Sequence, residues 1–468
     1  MSERAGAEKR EGVRAMTVQV MKTKAETALV EEFAKVEAHL PGADWLKRLR
    51  REAIGAFAGL GLPHRRIEEW KYTDLRALMK EAYPLATSRE AKSGGSGGGA
   101  EINGLFPNPG LDKNWAVFAD GTGVAHGGAL NGADGKSPFL ACMLADPPAW
   151  LRAEIEGSGH AFEDGVIALN SAYFTDGIVL DIPDGATFDE PLLIRFTAKE
   201  DGKPGAGKSL ALRNVIRVGK GAKVALIESH LGQFGAARHV NTVTQLIVGE
   251  GAEVTHVSCV ETGDGAMHLG RWLVQVGAGA RYRPFQMTIG SGLVRNDIRV
   301  KFTGEDGSLD LGAALIAEAR GHTDTTLFID HAVPSCTSRE LVKAVLDGSA
   351  RGVFQGKVIV RPDAQKTDGK QMAQALMLSP DAEFDSKPEL EIFADDVVCG
   401  HGSTVAELDE DLMFYCASRG IPPAEARILL VESFIGEAIE KVENEALRGG
   451  LMGLARRWLE TERLRKAA

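Results

Sequence analysis

The sequence predicts a mainly β protein whose core is a β-solenoid, with helical modules at both ends. Three observations favour that fold class. The middle of the chain carries a glycine-rich repeat, the segments between its copies are rich in β-branched residues, and the helical periodicity of the two ends is missing there. A repeat of about 30 residues is typical of solenoids, in which each unit buries its apolar face against the next.

The N-terminal part of the chain is expected to form two helices after a disordered tail of residues 1–15. The first helix is indicated by apolar residues at helical spacing that end before Pro41: Leu29, Phe33, Val36 and Leu40. Asp44 is the expected N-cap of the second helix, whose apolar stripe comprises Leu46, Leu49, Ala53 and Phe57. We assign residues 16–92 to an N-terminal helical region and residues 93–164 to a glycine-rich linker and transition.

The glycine-rich repeat defines the middle of the chain. Copies begin with "VGKGAKV" at Val218, "VGEGAEV" at Val248 and "VGAGARY" at Val276, and a degenerate copy, "TGEDGSLD", begins at Thr303. The starts are 30, 28 and 27 residues apart, and intervening runs such as "VIRV" and "WLVQV" favour strands. We assign residues 165–410 to a stacked β-solenoid, and a meandering antiparallel sheet with recurrent turns is the alternative.

The C-terminal part returns to a helical period. "IPPAEARILLVESFIGEAIEKVENEAL" begins with two prolines and places five apolar residues on one face: Ile428, Val431, Ile435, Ile439 and Val442. We assign residues 411–468 to a C-terminal helical module. The face formed by the first four of these residues is expected to pack against the solenoid end and to bind a partner protein.

Composition excludes several classes of protein. The net charge of −11 argues against a general binder of nucleic acid or anionic membrane. No apolar run reaches the roughly 18 residues of a spanning helix, and the charged N-terminus has no apolar segment typical of a signal peptide. Five scattered cysteines indicate a reducing compartment, so we expect a cytoplasmic protein.

One motif suggests nucleotide binding. "GKPGAGKS", from Gly202 to Ser209, matches the phosphate-binding loop pattern. A working loop of this kind needs a helix after it, because the helix N-terminus binds the phosphates. The following "SLALRNVIRVG" is instead rich in strand formers, so we interpret the motif as a hairpin loop and keep nucleotide binding as a lesser alternative.

The string "VVCGHG" holds the best candidate metal ligands. Cys399 and His401 are two residues apart on an expected strand, so their side chains point to the same face. A thiolate beside an imidazole can bind zinc, copper or an iron–sulfur centre, but two ligands do not complete a site. The alternative is that both residues are structural. Cys336 with His331 is a weaker nucleophile–base pair, because residues 334–335 indicate a bend between them.

Several strings resemble the SufB/SufD family of iron–sulfur cluster assembly scaffolds. They are "IEEWKYTDL" (Ile67–Leu75), "KTDG", "KPELEIFADDVVCGHG" and "FYCASRGI", and the likeness covers most of residues 20–445. These strings are more similar to the SufD branch than to the SufB branch. The SufB pattern has His-Glu where this chain has His401–Gly402, and a cysteine near the position of Ala373.

The resemblance implies a right-handed parallel β-helix with helical modules at both termini. It also implies a non-catalytic scaffold that pairs with a SufB-like chain through the β-helix and recruits a SufC-like ABC ATPase through the C-terminal helices. A homodimer in isolation is the alternative to that heterodimer, and the sequence leaves the choice between them open. His401, with Cys399 as a second ligand, would then hold a transient iron–sulfur cluster at the SufB interface, with no permanent cofactor. A β-helix enzyme acting on polysaccharides is the alternative function.

Overall fold

The computed structural model describes residues 21–86, 113–131, 137–157, 164–197, 207–230 and 238–467, so the expected tail of residues 1–15 and the segment 93–112 lie outside it. Its helices are α1 (Lys24–Val36), α2 (Asp44–Leu60), α3 (Leu75–Leu78), α4 (Ala149–Gly157), α5 (Gly165–Tyr173), α6 (Glu410–Ser418), α7 (Pro423–Ile439) and α8 (Glu445–Ala467). The expected helical ends are thus confirmed. Asp44 is the first residue of α2 rather than its cap, which is Ala43.

Eighteen strands lie in the described residues. They are β1 (Asn114–Ala119), β2 (Thr122–Gly127), β3 (Val179–Ile182), β4 (Leu192–Thr197), β5 (Lys208–Val218), β6 (Lys223–His230), β7 (Arg238–Val248), β8 (Glu253–Thr262), β9 (Met267–Val276), β10 (Arg281–Gly290), β11 (Leu293–Phe302), β12 (Ser308–Ala317), β13 (His322–His331), β14 (Thr337–Leu346), β15 (Arg351–Val360), β16 (Asp368–Met377), β17 (Glu383–Ile392) and β18 (Val398–Glu407).

The strands from β3 onward alternate between two facing parallel sheets. Sheet I is ten-stranded and contains β1, β2 and the even-numbered strands from β4 to β18, whereas sheet II contains the odd-numbered strands from β3 to β17. From β3 onward each strand therefore pairs in parallel with the strand two positions along the chain, and among the described strands only β1 and β2 pair with each other in antiparallel fashion. This topology is a β-solenoid of parallel sheets and confirms the predicted fold class.

The repeated glycines form the turns between the two sheets. Gly221, Gly251 and Gly279 occupy the same position of successive copies and have φ between 60° and 65°, a region that favours glycine. In the degenerate copy this position is Asp306, with φ of 59°, and aspartate is among the few other residues that tolerate it. Each turn also donates a backbone hydrogen bond to the next turn. For example, the N–H of Gly251 donates to the carbonyl of Ala278 at 2.8 Å.

Alternating side chains divide each sheet into a luminal and an outer face. The apolar luminal side chains of both sheets form one continuous core along the solenoid. The outer face of sheet II is covered by α1, α2, α4 and α5, and the outer face of sheet I by α7 and α8. No helix within the described ranges is long and apolar enough to cross a membrane.

The structure extends the β core beyond the expected bounds. β1 lies in the segment assigned to the transition, yet it pairs in parallel with β4 along its whole length. The segment from Gly165 to Tyr173, assigned to the solenoid, is instead helix α5 and packs against α2. Neither feature belongs to the glycine repeat, so the repeat gave no signal for them.

The string "IEEWKYTDL" fastens the N-terminal region to sheet II. The Trp70 ring lies 3.9 Å from the Arg295 guanidinium, and the carbonyl of Glu69 accepts hydrogen bonds from Arg295 at 2.7 Å and Gln355 at 3.1 Å. Glu68 and Lys387 of β17 form an ion pair of 2.7 Å. The segment therefore crosses the sheet as far as its C-terminal edge strand.

Candidate metal centre

The two candidate ligands lie on the last strand of the solenoid. β18 is an edge strand of sheet I, and among the described strands it pairs only with β16, in a register that places Cys399 beside Gly369 and His401 beside Gln371. Cys399 is half-buried against the luminal core, whereas His401 is exposed at the rim. Both side chains therefore line the luminal side of the open C-terminal end.

Gln371 lies directly behind His401 on the same wall. It is buried, and its Nε2 donates to the carbonyls of Gly356 at 3.3 Å and Glu389 at 3.2 Å, both in sheet II. A Cβ on Gly356 would clash with Oε1 of Gln371, so the glycine lets the amide cross the lumen without displacement. Gln371 thus ties the two sheets together one strand inward from the rim.

Glu340 is the next residue inward and was not recognised from the sequence. Glu340 lies on β14, in register with Gln371 of β16, and its side chain is 3 % exposed. Neither carboxylate oxygen has a hydrogen-bond partner in the described part of the chain. Burial raises the pKa of Glu340 to about 7, a shift that the nearby Ser338 hydroxyl, Lys441 and Arg339 partly offset. This carboxyl therefore titrates near neutral pH.

The thiol of Cys399 faces the same wall. Because Gly369 has no side chain, a Cβ placed there would lie 3.4 Å from Ser338 Oγ and 3.6 Å from Cys399 Sγ, so both groups border one space. Burial raises the pKa of the Cys399 thiol, and the carboxylates of Asp368 and Glu340 raise it further. Metal binding at Cys399 would therefore displace a proton.

The chain does not complete a metal site with these residues. Across the described ranges, no group of three His, Cys, Asp or Glu side chains converges in a way that could hold a metal ion. Cys399 and His401 can supply two ligands, which suits an ion or cluster completed by groups from a second chain. Gly400 leaves open space on the other face of β18, whereas the end of Met372 fills the space beside Gly402.

Cys336 and His331 are not paired with each other. The Cys336 thiol donates to the carbonyls of Pro334 at 3.4 Å and Gly304 at 3.5 Å, while His331 Nε2 contacts Ser338 Oγ at 3.1 Å. Burial raises the pKa of Cys336 to about 11 and lowers that of His331 to about 4. A protonated thiol without a base is a poor nucleophile, so the structure argues against this pair.

The nucleotide-binding motif is followed by a strand. Residues 202–206 lie outside the described residues, but Lys208 begins β5, which pairs in parallel with β7. The helix N-terminus that would bind phosphate is therefore replaced by an extended strand. This geometry argues against nucleotide binding at Gly202–Ser209.

The four residues expected to bind a partner lie on the inner side of α7. Val431, Ile435 and Ile439 are buried against the outer face of sheet I, and Ile428 is partly buried in the same cluster. A partner could reach these side chains only if α7 moved, so their role in partner binding stays a prediction. α6, by contrast, has no buried residue.

Two family models match the chain. The SufBD core domain of SUF-system FeS cluster assembly matches residues 199–434, and the SufBD protein N-terminal region matches residues 23–94. The core match therefore includes β18 with Cys399 and His401.

Curated relatives carry the same description. An iron-sulfur cluster assembly SufBD family protein of Synechocystis is 29% identical, over 93% of this chain and 96% of its own. The iron-sulfur cluster assembly protein SufD of Escherichia coli is 26% identical, over 83% of this chain and 87% of its own. A SufBD family protein of Mycobacterium tuberculosis is 30% identical, over 65% of this chain and 76% of its own.

Proposed function

This chain belongs to the SufB/SufD family of SUF-system iron–sulfur cluster assembly proteins, and on that premise we propose that it is a non-catalytic scaffold subunit of the assembly complex. The observation that carries the proposal is the position of His401, exposed beside Cys399 on the free edge strand of the solenoid. A nascent cluster bound there is open toward a second chain. That chain must complete its ligand set.

We propose that a SufB-like chain docks on this open end. β17 and β18 are the edge strands of the two sheets, and unpaired edge strands readily pair with another chain. Large apolar side chains are exposed around the same end: Ile392, Phe393, Val398 and Val405. Exposed apolar patches of this kind are typical of protein interfaces. A second copy of this chain would use the same edges when the SufB-like chain is absent.

The C-terminal helices are the proposed docking site of a SufC-like ATPase. α7 is held on the solenoid by its buried residues and by Arg427, which donates to the carbonyl of Leu378 at 3.1 Å. α6 instead exposes apolar side chains, and Phe414 is 76 % exposed. ATP hydrolysis would take place in that partner, which agrees with the strand after the phosphate-loop motif in this chain.

His401 suits a ligand that binds a cluster and then releases it. Thiolates are the common ligands of iron–sulfur clusters, and a neutral imidazole is a weaker ligand for them. The imidazole is held on a regular strand, which fixes its direction toward the open end. The cluster is therefore a transient product of the assembly rather than a resident cofactor of this chain.

The decisive test is reconstitution of the complex of this chain with a SufB-like chain and a SufC-like ATPase. With iron and sulfide added anaerobically, His401→Ala should leave the fold and the complex intact but abolish the visible absorbance of the cluster. Cys399→Ala should reduce it less. His39→Ala, which removes an exposed histidine from the N-terminal region, is the matched control. Cluster formation by His401→Ala at the unmodified rate and yield would overturn the proposal.

A second test addresses the ATPase surface. Removal of residues 411–468 is expected to abolish ATPase binding, but it would also uncover the outer face of sheet I. Phe414→Asp is the sharper variant, because the Phe414 side chain is 76 % exposed and its replacement should leave folding intact. Co-purification should show loss of the ATPase with retention of the SufB-like chain. Unchanged ATPase binding by Phe414→Asp would contradict the assignment of α6.

A further inference from the structure

Glu340 is incompletely paired: Ser338 is the neighbouring hydroxyl, but neither carboxylate oxygen forms a hydrogen bond of normal geometry with the described residues. On the same sheet, Glu228 of β6 accepts from Thr244 at 3.0 Å and contacts His256 Nε2 at 3.2 Å. Glu340 is equally buried, yet both of its oxygens lack a hydrogen-bond partner in the described residues. A buried carboxyl without a partner is destabilising, so its presence calls for a reason other than packing.

The position of Glu340 connects it to the candidate metal centre. Glu340, Gln371 and His401 occupy adjacent rungs of sheet I, so the Cα atoms of Glu340 and His401 are about 10 Å apart. The neighbouring row of side chains on the same wall also connects Glu340 to the candidate metal centre. Ser338, two residues from Glu340, borders the space that Cys399 Sγ also lines. A hydroxyl can both donate and accept. Ser338 therefore lies on a polar route between the rim and Glu340.

The surroundings of Glu340 suit a proton rather than a metal ion. Its charged neighbours lie outside the luminal wall: Arg339 on β14, Asp310 on β12 and Lys441 after α7. The titratable groups on the luminal side are Cys399 of β18 and His331 of β13, which reaches the wall through Ser338. Within the described ranges no third ligand converges with these groups to hold a metal. A proton needs neither a cavity nor a ligand set.

We propose that Glu340 is a proton-accepting residue of the candidate metal centre, taking up the proton released when iron and sulfide combine at the open end. The proposal rests on the proposed scaffold function, because that function brings iron and sulfide to this end. Above pH 7 sulfide is present mainly as HS⁻. In the step, the S–H bond of HS⁻ breaks, a bond forms between sulfur and Fe²⁺, and the proton is transferred to a carboxylate oxygen of Glu340. No electron is transferred, and the charges of Fe²⁺, HS⁻ and the carboxylate cancel.

The first measurement concerns Glu340 alone and does not depend on the function. Infrared difference spectra of the full chain, recorded while the pH is raised through about 7, should show loss of a protonated-carboxyl carbonyl band. The band should be absent in Glu340→Gln, return in Glu340→Asp, and persist in Glu305→Gln, which removes an exposed carboxyl. A band that persists unchanged in Glu340→Gln overturns the proposal.

The second measurement follows protons during cluster formation by the reconstituted complex. In weakly buffered solution above pH 7, where Glu340 starts deprotonated, the Glu340→Gln complex should release up to about one more proton per site than the unmodified complex, as a pH indicator measures. Glu305→Gln should match the unmodified complex. Equal proton release by Glu340→Gln overturns the proton-accepting role. If the unmodified complex forms no cluster, the scaffold function fails and this role with it, while the infrared band still reports the protonated state of Glu340.

Discussion

Two buried glutamates on the luminal wall of sheet I have opposite environments. Around Glu228, Thr244 and His256 provide hydrogen bonds, His230 lies 3.7 Å away, and the other ring nitrogen of His256 contacts Tyr282 at 3.0 Å. Although burial alone would raise it, the pKa of Glu228 is held well below its usual range by these histidines. Around Glu340 burial raises the pKa, and the Ser338 hydroxyl with the charges of Lys441 and Arg339 offsets it only in part.

The two regions are separated by an apolar layer. The luminal side chains of β12, which lies between them, belong to the hydrophobic core: Leu309, Leu311, Ala313 and Leu315. Within the apolar lumen Glu228 is thus paired with neighbouring side chains, whereas Glu340 is incompletely paired and lies close to the open rim. A paired buried carboxyl stabilises a fold, while an unpaired one is available for chemistry.

The largest expected effect on stability comes from removing the paired carboxyl of Glu228. Glu228→Leu leaves His256, Thr244 and His230 without their buried acceptor, so we expect the apparent free energy of unfolding to fall by about 3–5 kcal/mol. Urea denaturation at neutral pH measures it. Glu250→Gln, which removes an exposed carboxylate on a solenoid turn, is the control and should stay within about 0.5 kcal/mol. A similarly small effect of Glu228→Leu would mean that the cluster is not a stabilising element.

The second-largest effect is expected in the pH dependence of the free energy of unfolding, which should differ between the two carboxyls. The ordinary pKa of Glu340 is 4.5 and burial raises it to about 7, so between these values the folded chain retains a proton that the unfolded chain has lost. Stability contributed by this residue therefore falls as pH rises through that window, by about 3 kcal/mol in all.

To isolate that contribution, the free energy of unfolding of the unmodified chain and of Glu340→Gln is compared across the same pH window. The difference between them should shift in favour of Glu340→Gln as the pH rises. Glu228 has the opposite sign, because its lowered pKa stabilises the fold above its ordinary value of 4.5 and the stabilisation is lost in acid. Parallel curves for the unmodified chain and Glu340→Gln would contradict the assignment of a titrating buried carboxyl.

A smaller effect should separate the interior of the C-terminal region from its rim. In Gly356→Ala the new methyl group clashes with Gln371 and lies 2.6 Å from Phe354 Cζ, so we expect a loss of about 1–3 kcal/mol from overpacking. Gly400→Ala adds the same methyl group to open space on β18 and should change stability by less than about 0.5 kcal/mol. Thermal unfolding of both variants would test this, and equal shifts would mean that the lumen is not closely packed at Gly356.

The smallest effect is expected outside both luminal regions. Lys208→Ala should change neither cluster assembly nor ATP binding, because Lys208 lies in a strand rather than at the start of a helix. Equilibrium binding of ATP to the purified chain, with and without the substitution, is the measurement. Binding that Lys208→Ala abolishes would restore the nucleotide hypothesis.

Much of the fold could be predicted because its signals are local. A glycine with positive φ at Gly221, Gly251 and Gly279 is visible as a repeat, and helical spacing at Leu46 or Ile435 is visible within one segment. The placement of β1 beside β4 was missed because it depends on a pairing between distant segments with no repeat in common.

The same distinction applies to the candidate site. That Cys399 and His401 point to one face follows from the two-residue period of a strand, so the sequence by itself determined this pair. Only the tertiary structure decided that Gln371 and Glu340 stand behind His401, because the solenoid register joins residues about 30 positions apart. Whether Glu340 faces water or the lumen, and whether it finds a partner there, depends on how two sheets enclose it. Its chemistry is therefore a property of the folded chain, whereas the repeat that builds the enclosure is readable in the sequence.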